Sequence, residues 1–413
     1  MENARDVVKR YRNHPSVIMW FGRNEGVPQP VLNEALEAMI YQLDGTRWYS
    51  GSSNRVNLQN SGPYNYQTPA SYFTDHAKGF SVEVGTPSFP TMEAIKAAVP
   101  STDQWPLSDT VTYHDWHPDG NGSVKTFNAA MATGYGAPDS LADFERKAQL
   151  LNYESHRAIF EGMNAGLWRQ HSGRMLWMTQ PAWPSTMWQI LSHDYDTHGA
   201  FYGVKNAAEP VHVQMNLPDY QLMVINNPAA ALNGATLSYA AYDVKGKLLA
   251  SGDKPVTVAA VSTSEPIDAG IAALLAQHKL IVLKLVLKDA DGKLLSQNAY
   301  WPSSTLAGQQ GLNQLATVPL ELATRWTGAA VRGERQLEVT MRNGGEVPAL
   351  SGKLTLFNAD GERILPVYFS DNYVALMPGE SRTVTVTFKS QGAVRLDLRG
   401  WNVAPQSLQV SAQ

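Results

Sequence analysis

A segment near residue 221 returns near residue 336, and this repeat restricts the second half of the chain more than any other feature. Gln221-Leu222-Met223-Val224-Ile225-Asn226-Asn227, followed by Gly234-Ala235-Thr236-Leu237, is echoed by Gln336-Leu337-Glu338-Val339-Thr340-Met341-Arg342-Asn343 and then Gly352-Lys353-Leu354-Thr355-Leu356. The offset is 115 residues (336 − 221), about the length of one two-sheet β-domain. Around the repeat, residues 211–216, 222–226, 236–243 and 280–288 alternate or run apolar between Gly, Asn and Asp turns, as short strands do.

Before about residue 209 the pattern differs. Apolar strands are expected at 17–21, 47–50, 79–84 and 174–179. Helical spacing covers 31–43, 91–99 (ended by Pro100) and 140–170. Strand, helix, strand in this rhythm predicts a parallel sheet with crossover helices. Residues 104–136, rich in Gly, Asp, His, Tyr and Trp, break the pattern and are expected to be a long loop. The fold class is therefore α/β plus all-β. The expected domains are a partial (β/α)8 barrel over 1–207 and two immunoglobulin-like sandwiches over 208–305 and 306–413.

Composition narrows the function classes. The chain has 413 residues, a formal net charge of −4 and no Lys/Arg cluster, which argues against a nucleic-acid partner. No apolar run reaches the ~18 residues of a membrane span, and the charged start Met1-Glu2-Asn3-Ala4-Arg5-Asp6 lacks an apolar signal segment. Cysteine is absent, excluding disulfides and thiolate metal sites without deciding the compartment. Charged residues are only 17% of the chain, against 11 Trp and 17 Tyr. That bias fits either a neutral polar ligand gripped by aromatic faces or simply aromatic-rich cores.

Two apolar runs end on a glutamate beside a glycine: Val17-Ile18-Met19-Trp20-Phe21-Gly22-Arg23-Asn24-Glu25-Gly26, and Phe80-Ser81-Val82-Glu83-Val84-Gly85. The C-terminal end of a parallel strand is where a (β/α) barrel carries its chemistry. Two carboxyl groups there match the acid and nucleophile of glycoside cleavage. Trp177, in the expected strand at 174–179, and Trp183, just beyond it, each offer a flat apolar face, and their place against a sugar ring is what the family resemblance given below implies. The alternative for Trp177 is packing between barrel and sandwich. His114 and Trp116, in Tyr113-His114-Asp115-Trp116-His117, are candidates for a polar wall beside the sugar. A His-x-x-His spacing without a third ligand is too weak to imply a metal, so no metal or cofactor is expected.

Asn13-His14-Pro15-Ser16 with Trp20-Phe21-Gly22-Arg23-Asn24-Glu25 resembles the acid/base signature of glycoside hydrolase family two. Gly62-Pro63-Tyr64, Glu83-Val84-Gly85, the stretch Phe144 to Glu161, and Ala208-Glu209-Pro210-Val211-His212 extend the match towards the branch holding mannosylglycoprotein endo-β-mannosidase and the exo-β-glucosaminidases. The resemblance implies Glu25 as acid/base, Glu83 as nucleophile, Asn24 on a sugar hydroxyl, and a retaining double displacement on β-mannosides or related β-linked glycans. The glucosaminidase members tend to carry Asp as the acid, so Asn24-Glu25 leans towards the mannosidases. Exo-β-D-glucosaminidase and a non-catalytic carbohydrate-binding or structural fragment are the alternatives. It further implies that the first barrel strands precede Met1, so that a missing N-terminal half is the chain's intramolecular partner. Relatives of this type include exported proteins.

Overall fold

The structure is a computed structural model that describes residues 1–54, 58–59, 62–76, 79–329 and 333–412. Helix α1 (Glu2–Tyr11) precedes the first βαβ unit, β1 (Met19–Phe21), α2 (Pro30–Leu43) and β2 (Trp48–Ser50). Pro30 opens α2, where its missing N–H has no helical partner to lose. β1 and β2 pair in parallel, Met19 opposite Trp48. Met39 and Ile40 of α2 close over Val8 of α1, with Trp20 and Tyr49 at the edge of this small core.

A second parallel sheet follows, in the order β3 (Leu58–Gln59), β4 (Gly79–Val84), β5 (His171–Leu176). Between β4 and β5 come α3 (Met92–Ala98), α4 (Asp109–Tyr113), α5 (Lys125–Tyr135) and α6 (Leu141–Ala165), and α7 (Gly199–Ala207) closes the barrel portion. The expected loop over 104–136 thus carries two helices. Phe127, Ala130, Met131 and Tyr135 put one buried stripe on α5 at the 3–4 spacing of a helix, a signal diluted in the sequence by the surrounding Gly and Asp. The last strand also starts three residues earlier than expected.

Helix α6 is not amphipathic as its spacing implied. Polar residues such as Gln149, Asn152, Arg157 and Glu161 are buried along it, because other elements pack on most of its faces and supply partners. Gln149 and Asn152 donate to the Phe89 carbonyl at 3.0 and 2.8 Å. Glu145, with Glu93 of α3, holds Arg399 in the last domain, and Glu93 also pairs with Lys353 at 2.9 Å. Burial works to raise the Glu93 carboxyl, but the two cations outweigh it and hold the group well below the usual range.

The first sandwich comprises β6 (Val211–Met215), β7 (Leu222–Asn226), β8 (Leu232–Tyr242), β9 (Leu248–Val258), β10 (Ser262–Thr263), α8 (Ile271–His278), β11 (Val282–Lys288) and β12 (Leu294–Tyr300). Its sheets run β10-β7-β6 and β12-β11-β8-β9. The second comprises β13 (Leu320–Ala329), β14 (Arg335–Asn343), β15 (Ala349–Asn358), β16 (Val367–Phe369), β17 (Val374–Leu376), β18 (Ser381–Phe388), β19 (Val394–Arg399) and β20 (Gln406–Val410), with sheets β13-β14-β18-β16 and β17-β15-β19-β20. The repeat seen in sequence falls on β7–β8 and β14–β15. Its physical signature is a buried asparagine at the end of β7 and of β14. Asn226 Nδ2 donates to the carbonyls of Ala230 and Ala259, four and 33 residues on. Asn343 Nδ2 donates to Val347 and Leu376, again four and 33 residues on.

Candidate active site

Strand β4 is the centre of the second parallel sheet, and its last residues are tied on both sides. Gly62 N–H donates to the Glu83 carbonyl (3.0 Å), and Gly85 N–H to the Pro63 carbonyl (3.1 Å). From the β5 side Trp177 N–H donates to the Val84 carbonyl at 3.0 Å. Gly85 is required here, since a Cβ would lie 2.3 Å from the Trp177 carbonyl oxygen. The ladder therefore delivers Glu83, Tyr64 and Trp177 to one end of the sheet.

Glu83 is 8% exposed, and the Tyr64 hydroxyl donates to its Oε2 at 2.5 Å. Such a short O–H···O⁻ bond is of the charge-assisted kind. Tyr64 is itself held, since the Trp188 indole donates to its carbonyl (2.8 Å) and the two rings lie 4.9 Å apart. Trp177 is 43% exposed and Trp183 40%, leaving open aromatic faces. Trp183 stacks on His114 (centroids 5.4 Å, 28° between planes) with Tyr113 against its edge at 5.6 Å. His114 Nδ1 lies 2.8 Å from the Pro184 carbonyl, so Nδ1 carries the proton. The stack is thus pinned to the loop after β5.

Glu25 lies on the other parallel pair. It follows β1 on an exposed turn at φ 55°, in the left-handed region where a non-glycine residue is uncommon. Its N–H donates to Ser53 Oγ at 2.8 Å, its carbonyl accepts from Ser52, and Ser53 Oγ donates to Asn24 Oδ1 at 3.3 Å. The turn after β1 is thus fastened to the turn after β2. Among the described residues the β1–β2 and β3–β4–β5 sheets share no ladder, so the backbone fixes each glutamate separately.

One expected sugar contact must be corrected. Trp116 is 4% exposed and packs edge-on against Phe89 (5.1 Å) and Phe127 (5.3 Å). The α4–α5 segment folds its large apolar ring into the core and leaves Tyr113 and His114 outside. Asp194, in the segment after β5, pairs with Arg363 of the second sandwich at 2.6 Å and is an interdomain contact. Sequence reasoning gave no role to Tyr64 or Tyr113; Gly62-Pro63-Tyr64, already part of the family resemblance, was the available signal.

Comparison with known proteins matches all three regions. Residues 1–76 match the family model described as glycosyl hydrolases family 2, TIM barrel domain. Residues 219–305 match the mannosidase Ig/CBM-like domain, and 298–403 the exo-beta-D-glucosaminidase Ig-fold domain. Over these three regions the chain is similar to glycoside hydrolase family two and to the Ig-type domains of mannosidases and exo-β-D-glucosaminidases. It is 31% identical to an exo-β-D-glucosaminidase of Streptomyces avermitilis over 97% of this chain and 49% of that protein. It is 27% identical to a mannosylglycoprotein endo-β-mannosidase of Lilium longiflorum over 98% of this chain and 54% of that one. The crystal structure of an exo-chitosanase of Amycolatopsis orientalis superposes with a TM-score of 0.87 at 26% identity, covering 98% of this chain and 53% of that one. The chain spans about half the length of the relatives it matches.

Proposed function

We propose that this chain, as a member of family two, carries the two catalytic carboxyls of a retaining β-glycosidase acting on β-mannosides or related β-linked glycans. Residues 1–207 form the barrel portion, and 208–305 and 306–413 the two sandwiches. The observation that carries the reading is Glu83, nearly enclosed at the C-terminal end of a parallel strand and held by the Tyr64 hydroxyl, with open tryptophan faces in the segment that follows the next strand. Glu83 attacks the anomeric carbon while Glu25 protonates the departing oxygen. Glu25 then draws a proton from the water that releases the sugar. This geometry needs the carboxyls ~5–5.5 Å apart. The Tyr64 hydrogen bond orients Glu83 before attack and stays with the carboxylate that leaves. Trp177, Trp183 and His114 line the sugar, and Asn24 bonds one of its hydroxyls.

The first pair of strands has a free side. An apolar groove of about 330 Å³ lies along β1, α1 and α2, lined by Val7, Phe21, Leu32 and Leu36 among others. We take it to receive the N-terminal half of the enzyme, whose strands complete the barrel and bring the Glu25 turn to Glu83. The exo-β-D-glucosaminidase reading is favoured by the identities above, and Asn24-Glu25 favours the mannosidase one. Hydrolysis of nitrophenyl β-mannoside and nitrophenyl β-glucosaminide is measured with the chain alone and joined to the N-terminal half of a relative. Turnover of one glycoside with retained configuration, lost in Glu83→Ala and Glu25→Ala, is expected. Turnover that survives Glu83→Ala, or glycan binding with no turnover in the joined enzyme, overturns it.

A further inference from the structure

Trp188 stands half-buried in the segment after β5 with its backbone at φ 54°, in the left-handed region that so large a residue enters only where its surroundings dictate it. Here they do. Its carbonyl accepts the Met178 N–H at 3.2 Å, and the Ile190 and Leu191 N–H groups both donate to the Thr179 carbonyl (3.1 and 3.0 Å). Just before it, the Thr186 N–H and hydroxyl both donate to the His114 carbonyl, at 2.9 and 2.8 Å. Residues 183–191 thus form a strap tied to the chain just beyond β5 and to the α4–α5 segment.

The indole fills a slot that glycine leaves open on two sides. A Cβ on Gly85 would lie 3.2 Å from Trp188 Cγ, and one on Gly122, between α4 and α5, would lie 2.7 Å from Cζ2. The second distance is closer than a real side-chain carbon comes, so Gly122 has to stay bare. Gly85 is two residues beyond Glu83. The indole N–H is spent on the Tyr64 carbonyl, and the two rings lie 4.9 Å apart. Trp188 therefore packs against the backbone that carries Glu83 and anchors the tyrosine that bonds its Oε2, without bonding the carboxylate itself.

We infer that Trp188 is a positioning residue for Glu83, acting through Tyr64, and that Gly122 is bare so that the indole can reach this place. The inference rests on Glu83 being the nucleophile. An attacking carboxylate must already point at the anomeric carbon, because a misplacement of about 1 Å can cost on the order of 100-fold in rate. The Tyr64 hydroxyl supplies that orientation only while its ring and backbone keep their place beside β4, and Trp188 holds both. The sugar is gripped by other aromatic faces, so the effect falls on kcat rather than on KM.

Trp188→Phe, Gly122→Ala and Gly120→Ala are compared in the chain joined to the N-terminal half of a relative, with a nitrophenyl glycoside. Trp188→Phe drops the N–H donor, and Gly122→Ala drives a methyl group into the indole. Gly120 has a similar backbone (φ 88° against 77°) but nothing within 4 Å of its Cβ position, so its alanine carries the loop strain alone. In the first two, kcat should fall by about 10–100-fold with KM within about threefold, and in Gly120→Ala both should stay within about threefold. Adding Trp188→Phe to Tyr64→Phe should cost far less than the two losses multiplied, since residues that act through one another are not additive. Crystal structures of the same variants of the chain read the placement without turnover. Tyr64 Oη should leave hydrogen-bonding distance of Glu83 Oε2 in Trp188→Phe and Gly122→Ala, and keep it in Gly120→Ala. Tyr64 still bonded to Glu83 in both variants, a loss confined to KM, a multiplicative double variant, or equal losses in Gly120→Ala and Gly122→Ala overturns the inference. A joined enzyme that turns over no glycoside with every residue in place overturns the catalytic reading instead, and the crystal distances then decide whether Trp188 places Tyr64.

Discussion

Replacing Glu161 by leucine should uncouple the barrel portion from the first sandwich. The Glu161 carboxylate is 1% exposed, and its Oε1 accepts from Tyr300 Oη (2.6 Å), Asn298 Nδ2 (2.8 Å) and His212 Nε2 (3.1 Å). Arg157, also buried, donates to Asn298 Oδ1 and the Ala299 carbonyl and lies 4.0 Å from the Tyr300 ring centroid. Leucine matches the volume but leaves that guanidinium without its counter-charge. Removing one partner of a buried ion pair costs about 3–5 kcal/mol. Each stranded donor adds about 1–3 kcal/mol where it cannot turn to another acceptor, and His212 can still use Glu209 at 3.4 Å. A loss of ~4–5 kcal/mol is expected, a large part of the ~5–15 kcal/mol that holds a typical domain. Burial works against the His212 charge, but hydrogen bonds and charges from Glu161 and Glu209 outweigh it and raise its pKa. A raised histidine contributes stability that is full below the unfolded value of ~6.5 and is lost as pH climbs through the folded value. The penalty should therefore be larger at pH 6 than at pH 8.5. Urea unfolding followed by tryptophan fluorescence and circular dichroism should show the midpoint falling by about 1 M or more. A shift below about 0.2 M, or one equal at both pH values, would refute the reasoning.

Tyr64→Phe removes a charge-assisted hydrogen bond worth ~1.5–3 kcal/mol from Glu83, and should cut kcat/KM of the joined enzyme by about 10–100-fold, read with a nitrophenyl glycoside; an unchanged rate counts against the proposed nucleophile. Asn343→Ala strands the Val347 and Leu376 carbonyls and the Gly345 N–H. It should cost ~3–5 kcal/mol in urea unfolding, with Asn226→Ala acting in the same direction on the first sandwich. His156 and His171 are pushed down to about 4 and His198 to about 3, chiefly by burial. The unfolded chain binds their protons at ~6.5, so stability should fall as pH drops from about 6.5 towards 4, by up to ~4 kcal/mol per pH unit if all three act together. A flat urea midpoint between pH 6 and 4.5 would contradict this.

The sequence was most legible where periodicity had one cause. The strand at 79–84 and the helix following Thr91 stand where the apolar pattern and Pro100 placed them, and the 115-residue echo led to two antiparallel sandwiches of corresponding strand order. It was least legible where tertiary partners replaced water. Nothing local in Gln149, Asn152, Arg157 and Glu161 says that they are buried; their acceptors and donors lie on remote segments. The core position of Trp116 was hidden for the same reason, since an indole suits either a sugar face or a core. Glu83 was readable from its strand end, whereas its Tyr64 partner depends on the neighbouring strand's register.

The asparagines at the ends of β7 and β14 have a bearing on how the two sandwiches arose. Hydrophobic alternation can be rebuilt independently many times, because any of several apolar residues fills a strand's inner face. A buried amide reaching the same two carbonyls, four and 33 residues ahead in both domains, is a far narrower solution, since either reach fails if one loop changes length. The two sandwiches therefore read as copies of one ancestral unit whose surfaces diverged to meet different faces of the barrel while its internal bracing stayed in place.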